Sequence, residues 1–209
     1  MTGDERIDVT VRIAGGYNVS NALGVVAVFR ALGLPLAQAA EGIRSLAGVP
    51  GRMESIDAGQ PFGVLVDYAH TPDSLQNVLR AAREICEGSL IAVFGCGGDR
   101  DPGKRPQMGR IGAELADRAI ITSDNPRSED PLAIIAAIEE GARQTGRPYE
   151  IEPDRRAAIA LAIAAAREGD LVVIAGKGHE TGQKFADRVL PFDDRIVARE
   201  ELERLGAGR

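Results

Sequence analysis

The sequence predicts an α/β fold, a mostly parallel sheet with helices on both faces. Three observations carry the prediction. From about residue 63, apolar β-rich runs alternate with helical patterns, the order expected of such a sheet. The run Leu171–Ala175 (LVVIA) is the clearest buried strand. Four of the runs end in loops of unusual composition, at the carboxyl strand ends where open α/β sheets place ligands.

In chain order, the first fifty residues differ from the rest. Residues 21–32 and 36–47 read as two helices joined by Gly33-Leu34-Pro35. They are apolar on one face but too small for a core of their own, and so read as the tail of another domain. GVPGRMES (48–55) is rich in Gly and Pro and reads as a linker. A strand follows at 64–66, then a helix at 72–84 with Pro72 in its first turn. Next come a strand at 90–94 with a helix at 104–116, and a strand at 119–121 with a helix at 131–144. A weak strand at 149–151 precedes an Ala-rich helix over 154–167, capped by Asp154. The strand at 171–175, a short strand at 189–190 and a helix at 193–205 complete the order.

Composition narrows the function. The chain has 209 residues, 44% hydrophobic and 27% charged, with a net charge of −6. That balance speaks against a broad nucleic-acid-binding face, so an anion must be met by a local cluster of Arg, Lys and backbone N–H. No apolar stretch reaches the ~18 residues of a transmembrane helix. The start, Met1 to Arg6, is polar and acidic, unlike a signal peptide. Cys86 and Cys96 make neither a disulfide framework nor a zinc pattern. With only His70 and His179, no His-rich metal site is expected. A reduced, cytoplasmic protein is expected, without nucleic-acid or membrane partners; a monomer is expected as well, though composition does not decide it.

The four loops carry the candidate chemistry. VDYAHTPDS (66–74) sets Asp67 and His70 just before a helix N-terminus, a place suited to phosphate or ribose; Asp67 and Thr71 as turn and cap residues explain it equally well. FGCGGDRDPGKRP (94–106) matches most of a P-loop, but Arg105 stands where Ser or Thr must bind magnesium. A dinucleotide fingerprint fails as well, because its third Gly falls on Arg100. The loop reads as a Gly-rich turn presenting Arg100, Lys104 and Arg105 to a carboxylate or phosphate. ITSDNPRSEDP (121–131) delivers an amide, a rigid turn and a guanidinium in sequence. A plain turn needs no Arg that can grip a carboxylate with two parallel hydrogen bonds. IAGKGHETGQ (174–183) puts Lys177 between two glycines, with exposed N–H donors. The adjacent His179 and Glu180 suit an ammonium or a water. Ahead of the sheet, Asn18 and Asn21 stand one helical turn apart, as simple caps would.

As an ordered set, NVSNALG, GVPGRMES, VDYAHTPDSL, FGCGGDRDPGKRP, DNPRSEDP, AGKGHETGQ and FDDRIVARE resemble the muramyl ligases, ATP-dependent amino-acid ligases of peptidoglycan synthesis. The likeness runs from about residue 10 to 205. It is greatest to members that add meso-diaminopimelate to UDP-MurNAc-L-Ala-D-Glu, which carry Asp-Asn-Pro-Arg where lysine-adding members differ. The resemblance implies that residues 1–50 are the last helices of a central ATPase domain. Residues 51–209 would then be the Rossmann-like, three-layer C-terminal domain that binds the amino acid. It implies a meso-diaminopimelate pocket of Arg100, Asp124, Asn125, Arg127, Gly176 and Glu180, with Glu180 facing the distal ammonium. It implies ATP contacts at Asn18, Asn21, Arg52, Asp67 and His70. The cofactors are ATP and Mg2+, with the magnesium ligands in the family's central domain and no metal ligand in this stretch. In the family, ATP phosphorylates the D-glutamate γ-carboxylate, and the diaminopimelate amine attacks the acyl phosphate.

No GxxxxGK[ST] occurs in the 209 residues, so the stretch is expected not to turn over ATP alone. Other readings remain at this point. A stand-alone module could hold an amino acid or nucleotide without chemistry. A ligase adding lysine fits if Arg127 is only structural. A nicotinamide-dependent oxidoreductase is suggested by the sheet and by FGCGGD, and opposed by the missing third Gly.

Overall fold

A computed structural model describes residues 6–13, 15–46 and 48–207. Residues 1–5 of the polar start, and residue 47 at the predicted end of the second helix, lie outside the described residues. The chain divides into two compact units, the first ending at Val49 and the second beginning at Pro50.

The first unit holds helices α1 (Gly16–Ala31) and α2 (Leu36–Ser45). Helix α1 begins five residues before the predicted start. Asn21 is therefore an interior helical residue, and its amide donates back to Asn18 Oδ1 at 3.4 Å rather than capping. Gly33 has a φ of 68° between the helices, a left-handed value that glycine adopts without strain.

The second unit contains, in order, β1 (Glu54–Ser55), β2 (Gly63–Asp67), α3 (Pro72–Ile85), β3 (Leu90–Phe94), α4 (Lys104–Leu115), β4 (Arg118–Ile121), α5 (Pro131–Arg143), β5 (Tyr149–Ile151), α6 (Arg155–Ala165), β6 (Leu171–Ala175), β7 (Gly182–Lys184), β8 (Val189–Pro191) and α7 (Asp194–Ala207). Six strands form one sheet in the order β1-β2-β6-β3-β4-β5. Only β1 runs antiparallel. The predicted α/β architecture is therefore present, including the parallel sheet and the helical layers. Helices α6 and α7 bury Ile159, Ile163, Val197 and Leu202 against Val64, Val66, Val93 and Ile174 of the strands. Helices α3, α4 and α5 pack side by side over the strands as the other layer.

The linker expectation for residues 48–55 is corrected. Met53 is buried, its N–H donates to Asp67 Oδ2 at 2.8 Å, and β1 follows on the edge of β2. A Gly- and Pro-rich stretch reads as loose chain, but here it is stitched to the sheet by a carboxylate fourteen residues away. Strand β7 was not predicted. It is three residues long, and it pairs with β8.

Strand register decides where the site lies. Asp67 is opposite Ala175, Val93 opposite Ile174, and Phe94 opposite Ile121. The loops after β2, β6, β3 and β4 thus leave one sheet edge side by side. Two buried residues brace that edge. Arg155 donates to both oxygens of Asp194, at 2.8 and 2.7 Å, and also to the Ala175 carbonyl at 3.0 Å. Both side chains are wholly buried. Asp194 and burial pull in opposite directions on Arg155, and the ion pair keeps it firmly charged.

Candidate functional site

The four loops enclose an open cleft of about 470 Å³ in the second unit. Arg100, Lys104, Arg127 and Lys184 bring positive charge to it; Asp124 and Glu180 bring negative charge. A cleft with both signs set on rigid strand ends suits a zwitterion better than a polyanion.

Arg127 is held by its backbone and by one edge of its guanidinium. Pro126 fixes the turn before it, and Arg127 itself takes a φ of 53°, costly for a non-glycine residue and often seen where a side chain must be aimed. Its N–H donates to the Lys184 carbonyl at 2.9 Å. Its Nη1 donates to the Gly98 carbonyl at 2.7 Å. Neutral carbonyls take Nη1 only, so among the described residues Nε and Nη2 meet no acceptor. Gly98 allows this approach, because a Cβ there would collide with the Pro126 carbonyl oxygen. The two loops are cross-laced further on. Ser128 Oγ donates to Asp99 at 2.6 Å, and Glu129 accepts from Asp99 N at 2.6 Å and from Arg105 at 2.8 Å.

The opposite wall is built on Asn125, Lys177 and Glu180. Lys177 is fully buried. Its ammonium donates to Asn125 Oδ1 at 2.9 Å, Glu180 Oε2 at 3.1 Å and the Gly182 carbonyl at 2.7 Å. Asn125 Nδ2 donates to Glu180 Oε2 at 2.8 Å. Burial alone would raise the Glu180 carboxyl; the hydrogen bonds from Asn125 and Lys177 outweigh it and hold it below the usual glutamate range.

The remaining predicted residues fall as follows. Asp124 is buried beside Gly176, which has a φ of 125°; a Cβ there would sit 2.6 Å from Asp124 Oδ2. Arg100 lies on the cleft wall and, among the described residues, bonds only the Asp99 carbonyl, at 2.8 Å. Asp67 is buried, with its two oxygens accepting from the N–H groups of Met53 and Ala69. Burial outweighs those bonds and raises its carboxyl. His70 lines the cleft, and its Nδ1 lies 2.8 Å from the Tyr68 carbonyl. The Arg52 guanidinium lies 5.1 Å from the centre of the Tyr68 ring. Asn18 and Asn21 belong to the first unit.

One expectation for the loops is corrected. Arg105 is not presented to a ligand: it is buried and ion-paired with Glu129. Lys177, for which no placement was predicted, is the most enclosed charge of the wall. Sequence reasoning also missed Tyr68, Lys184 and the Arg155–Asp194 pair. No local signal marks Lys177 as buried, because its acceptors lie up to 52 residues away.

The family model described as "Mur ligase, glutamate ligase domain" matches residues 51–178. This chain belongs to the Mur ligase family. Its relatives include a protein of Streptomyces avermitilis named UDP-N-acetylmuramoyl-L-alanyl-D-glutamate–2,6-diaminopimelate ligase. The two are 50% identical over 204 residues, covering 96% of this chain and 40% of the relative. A Bacillus licheniformis protein of the same name is 51% identical over 194 residues, 93% of this chain and 39% of its own length. A solved structure bearing that ligase's name superposes with a TM-score of 0.73 at 39% identity, over 95% of this chain and 40% of its own. A Mycobacterium tuberculosis folylpolyglutamate synthase, complexed with ADP and AMPPCP, is 20% identical with a TM-score of 0.62. It covers 97% of this chain and 42% of its own, and shares the Mur ligase fold. The chain thus spans about 40% of the length of the curated relatives it matches. Among its described residues, no helix is long and apolar enough to cross a membrane.

Proposed function

We propose that this chain is the amino-acid-binding part of an ATP-dependent ligase. That ligase joins meso-diaminopimelate to the D-glutamate γ-carboxylate of UDP-MurNAc-L-Ala-D-Glu. One observation carries the reading: the unfilled edge of the Arg127 guanidinium shares a cleft with the Glu180 carboxylate. Diaminopimelate differs from lysine by a second α-carboxylate beside its distal ammonium. A planar guanidinium grips a carboxylate bidentately, and Glu180 meets the ammonium. Lysine would leave Arg127 half-buried and unpaired, which disfavours it.

The cleft works by positioning. Its residues hold the distal end of the amino acid so that the other amine projects towards the acceptor. Two features of the second unit fit an adenine nucleotide. Arg52 is a cation stacked on Tyr68, and His70 presents its ring to the cleft. ATP, when bound, supplies the phosphoryl group that activates the acceptor carboxylate. Asp67 spends its oxygens on backbone N–H groups, and its part is to fix the turn that carries His70. The family likeness is the ground for proposing Asn18 and Asn21, in the first unit, as nucleotide contacts too. The magnesium ligands are expected in the part of the ligase that the relatives have and this chain does not span.

Titration calorimetry of the chain with meso-diaminopimelate and L-lysine tests the reading. Binding of diaminopimelate without lysine is the expected result. Equal binding of both, or of neither, would overturn it.

A further inference from the structure

We infer that Lys177 is a positioning residue: its buried ammonium locks Asn125 and Glu180 so that Glu180 Oε1 is kept for the ammonium of a bound amino acid. The inference rests on the amino-acid reading of the cleft and adds a residue that the reading does not use.

A lysine taken fully out of water must fill its hydrogen bonds and find a counter-charge. An ammonium has three donors and no acceptor. Here the three donors meet three acceptors on three segments: Asn125 after β4, Glu180 after β6, and Gly182 on β7. This sets the Asn125 amide. Its Oδ1 accepts from Lys177 and from Lys184 N at 2.9 Å, so its Nδ2 must turn to Glu180. The reverse orientation would put an NH2 group against an ammonium and a backbone N–H. Glu180 Oε2 thereby receives two donors. Among the described residues, Oε1 receives none. One carboxylate oxygen is committed to the wall and the other is left to the cleft, on a side chain 29% exposed.

A lysine serving only as a tie between loops would need no such division of the carboxylate. The two roles differ in one respect. The lock serves only ligands that bring an ammonium to Glu180. A tie serves every ligand of the cleft equally.

The test uses Lys177→Met in the whole 209-residue chain. Calorimetry compares meso-diaminopimelate with 2-aminopimelate, which keeps both carboxylates and lacks the distal amine. The variant should lose about tenfold or more for diaminopimelate, the order of one charge-assisted hydrogen bond. It should hold 2-aminopimelate within about twofold, well under the energy of any single hydrogen bond. Equal losses for the two ligands, or no loss, would overturn the inference. A second arm needs no ligand. Glu180 faces Lys177 and Lys184, and its charge also acts on Arg155. The midpoint of its carboxyl, followed by 13C NMR, should rise in Lys177→Met, and an unchanged midpoint would overturn the lock. If the wild-type chain binds neither amino acid, the amino-acid reading fails while this arm still decides on the lock. If Lys177→Met does not fold, Lys177→Gln takes its place, read by the same calorimetry and the same Glu180 midpoint, with the same outcomes supporting or overturning the inference.

Discussion

Arg127 reaches from the loop after β4 to the loop after β3 and donates from Nη1 to the Gly98 carbonyl at 2.7 Å. This bond orients the guanidinium without neutralising it, and leaves two N–H directions for a ligand. Arg127→Lys keeps the charge but loses the planar fork. It should lower diaminopimelate affinity by about 1–3 kcal/mol, the range of a charged hydrogen bond, and leave the thermal midpoint within a few degrees. Calorimetry and a melting curve check both parts. Undiminished affinity would mean that the fork does not touch the ligand.

The loop contact also depends on the absence of a side chain at Gly98. In Gly98→Ala the new methyl meets the Pro126 carbonyl oxygen, so the turn carrying Arg127 must move. Affinity for diaminopimelate should fall at least as far as in Arg127→Lys. A crystal structure of the variant should show Pro126 displaced; an unmoved turn with full affinity would contradict the prediction.

Arg155 and Asp194 form a wholly enclosed ion pair beneath the site. Removing one partner strands the other charge away from water, at a cost of about 3–5 kcal/mol. Arg155→Met should therefore shift the urea midpoint strongly downward. Adding Asp194→Leu should recover much of the loss, because no buried charge then remains. Additive losses in the double variant would contradict the pairing.

Glu180 sets a pH dependence. Its folded carboxyl titrates below the ordinary value of 4.5. Its stabilising contribution is therefore complete above the unfolded value and is lost as pH falls through the folded one. Between these limits the wild type should lose stability relative to Glu180→Gln as acid is added. Urea unfolding at pH 6 and at successive steps below about pH 4.5 checks the sign. A variant curve parallel to the wild type would contradict it.

The chain contains no GxxxxGK[ST], the loop that cradles phosphates in the P-loop enzymes. Purified alone, it should release no phosphate from ATP above background in a colorimetric assay. Sustained release that follows protein concentration would contradict this.

The parallel strands were legible because each is an apolar run between turn signals, as in Leu90–Phe94 and Leu171–Ala175. The helix caps Thr71, Asp130 and Asp154 accept N–H groups of their helices, and Asp154 was predicted from its place before the Ala-rich helix. Strand β7 was not legible, because Gly-Gln-Lys has no β pattern and forms only by pairing with β8. Strand β1 hid in a Gly- and Pro-rich stretch that Asp67 pins from fourteen residues away. At the site, the loops could be found from their composition, and strand register brings them together. Which cations face the cleft could not be read. Arg105 and Lys177 look like loop cations locally, yet each is buried by acceptors distant in sequence, Glu129 for one and Asn125 for the other.

The most direct measurement is a crystal structure of this chain with meso-diaminopimelate. The account predicts one ligand carboxylate within about 3 Å of Arg127 Nη2 or Nε, with the neighbouring ammonium at a similar distance from Glu180 Oε1. A ligand bound outside the cleft, or lying in it with no carboxylate on Arg127, would contradict the account.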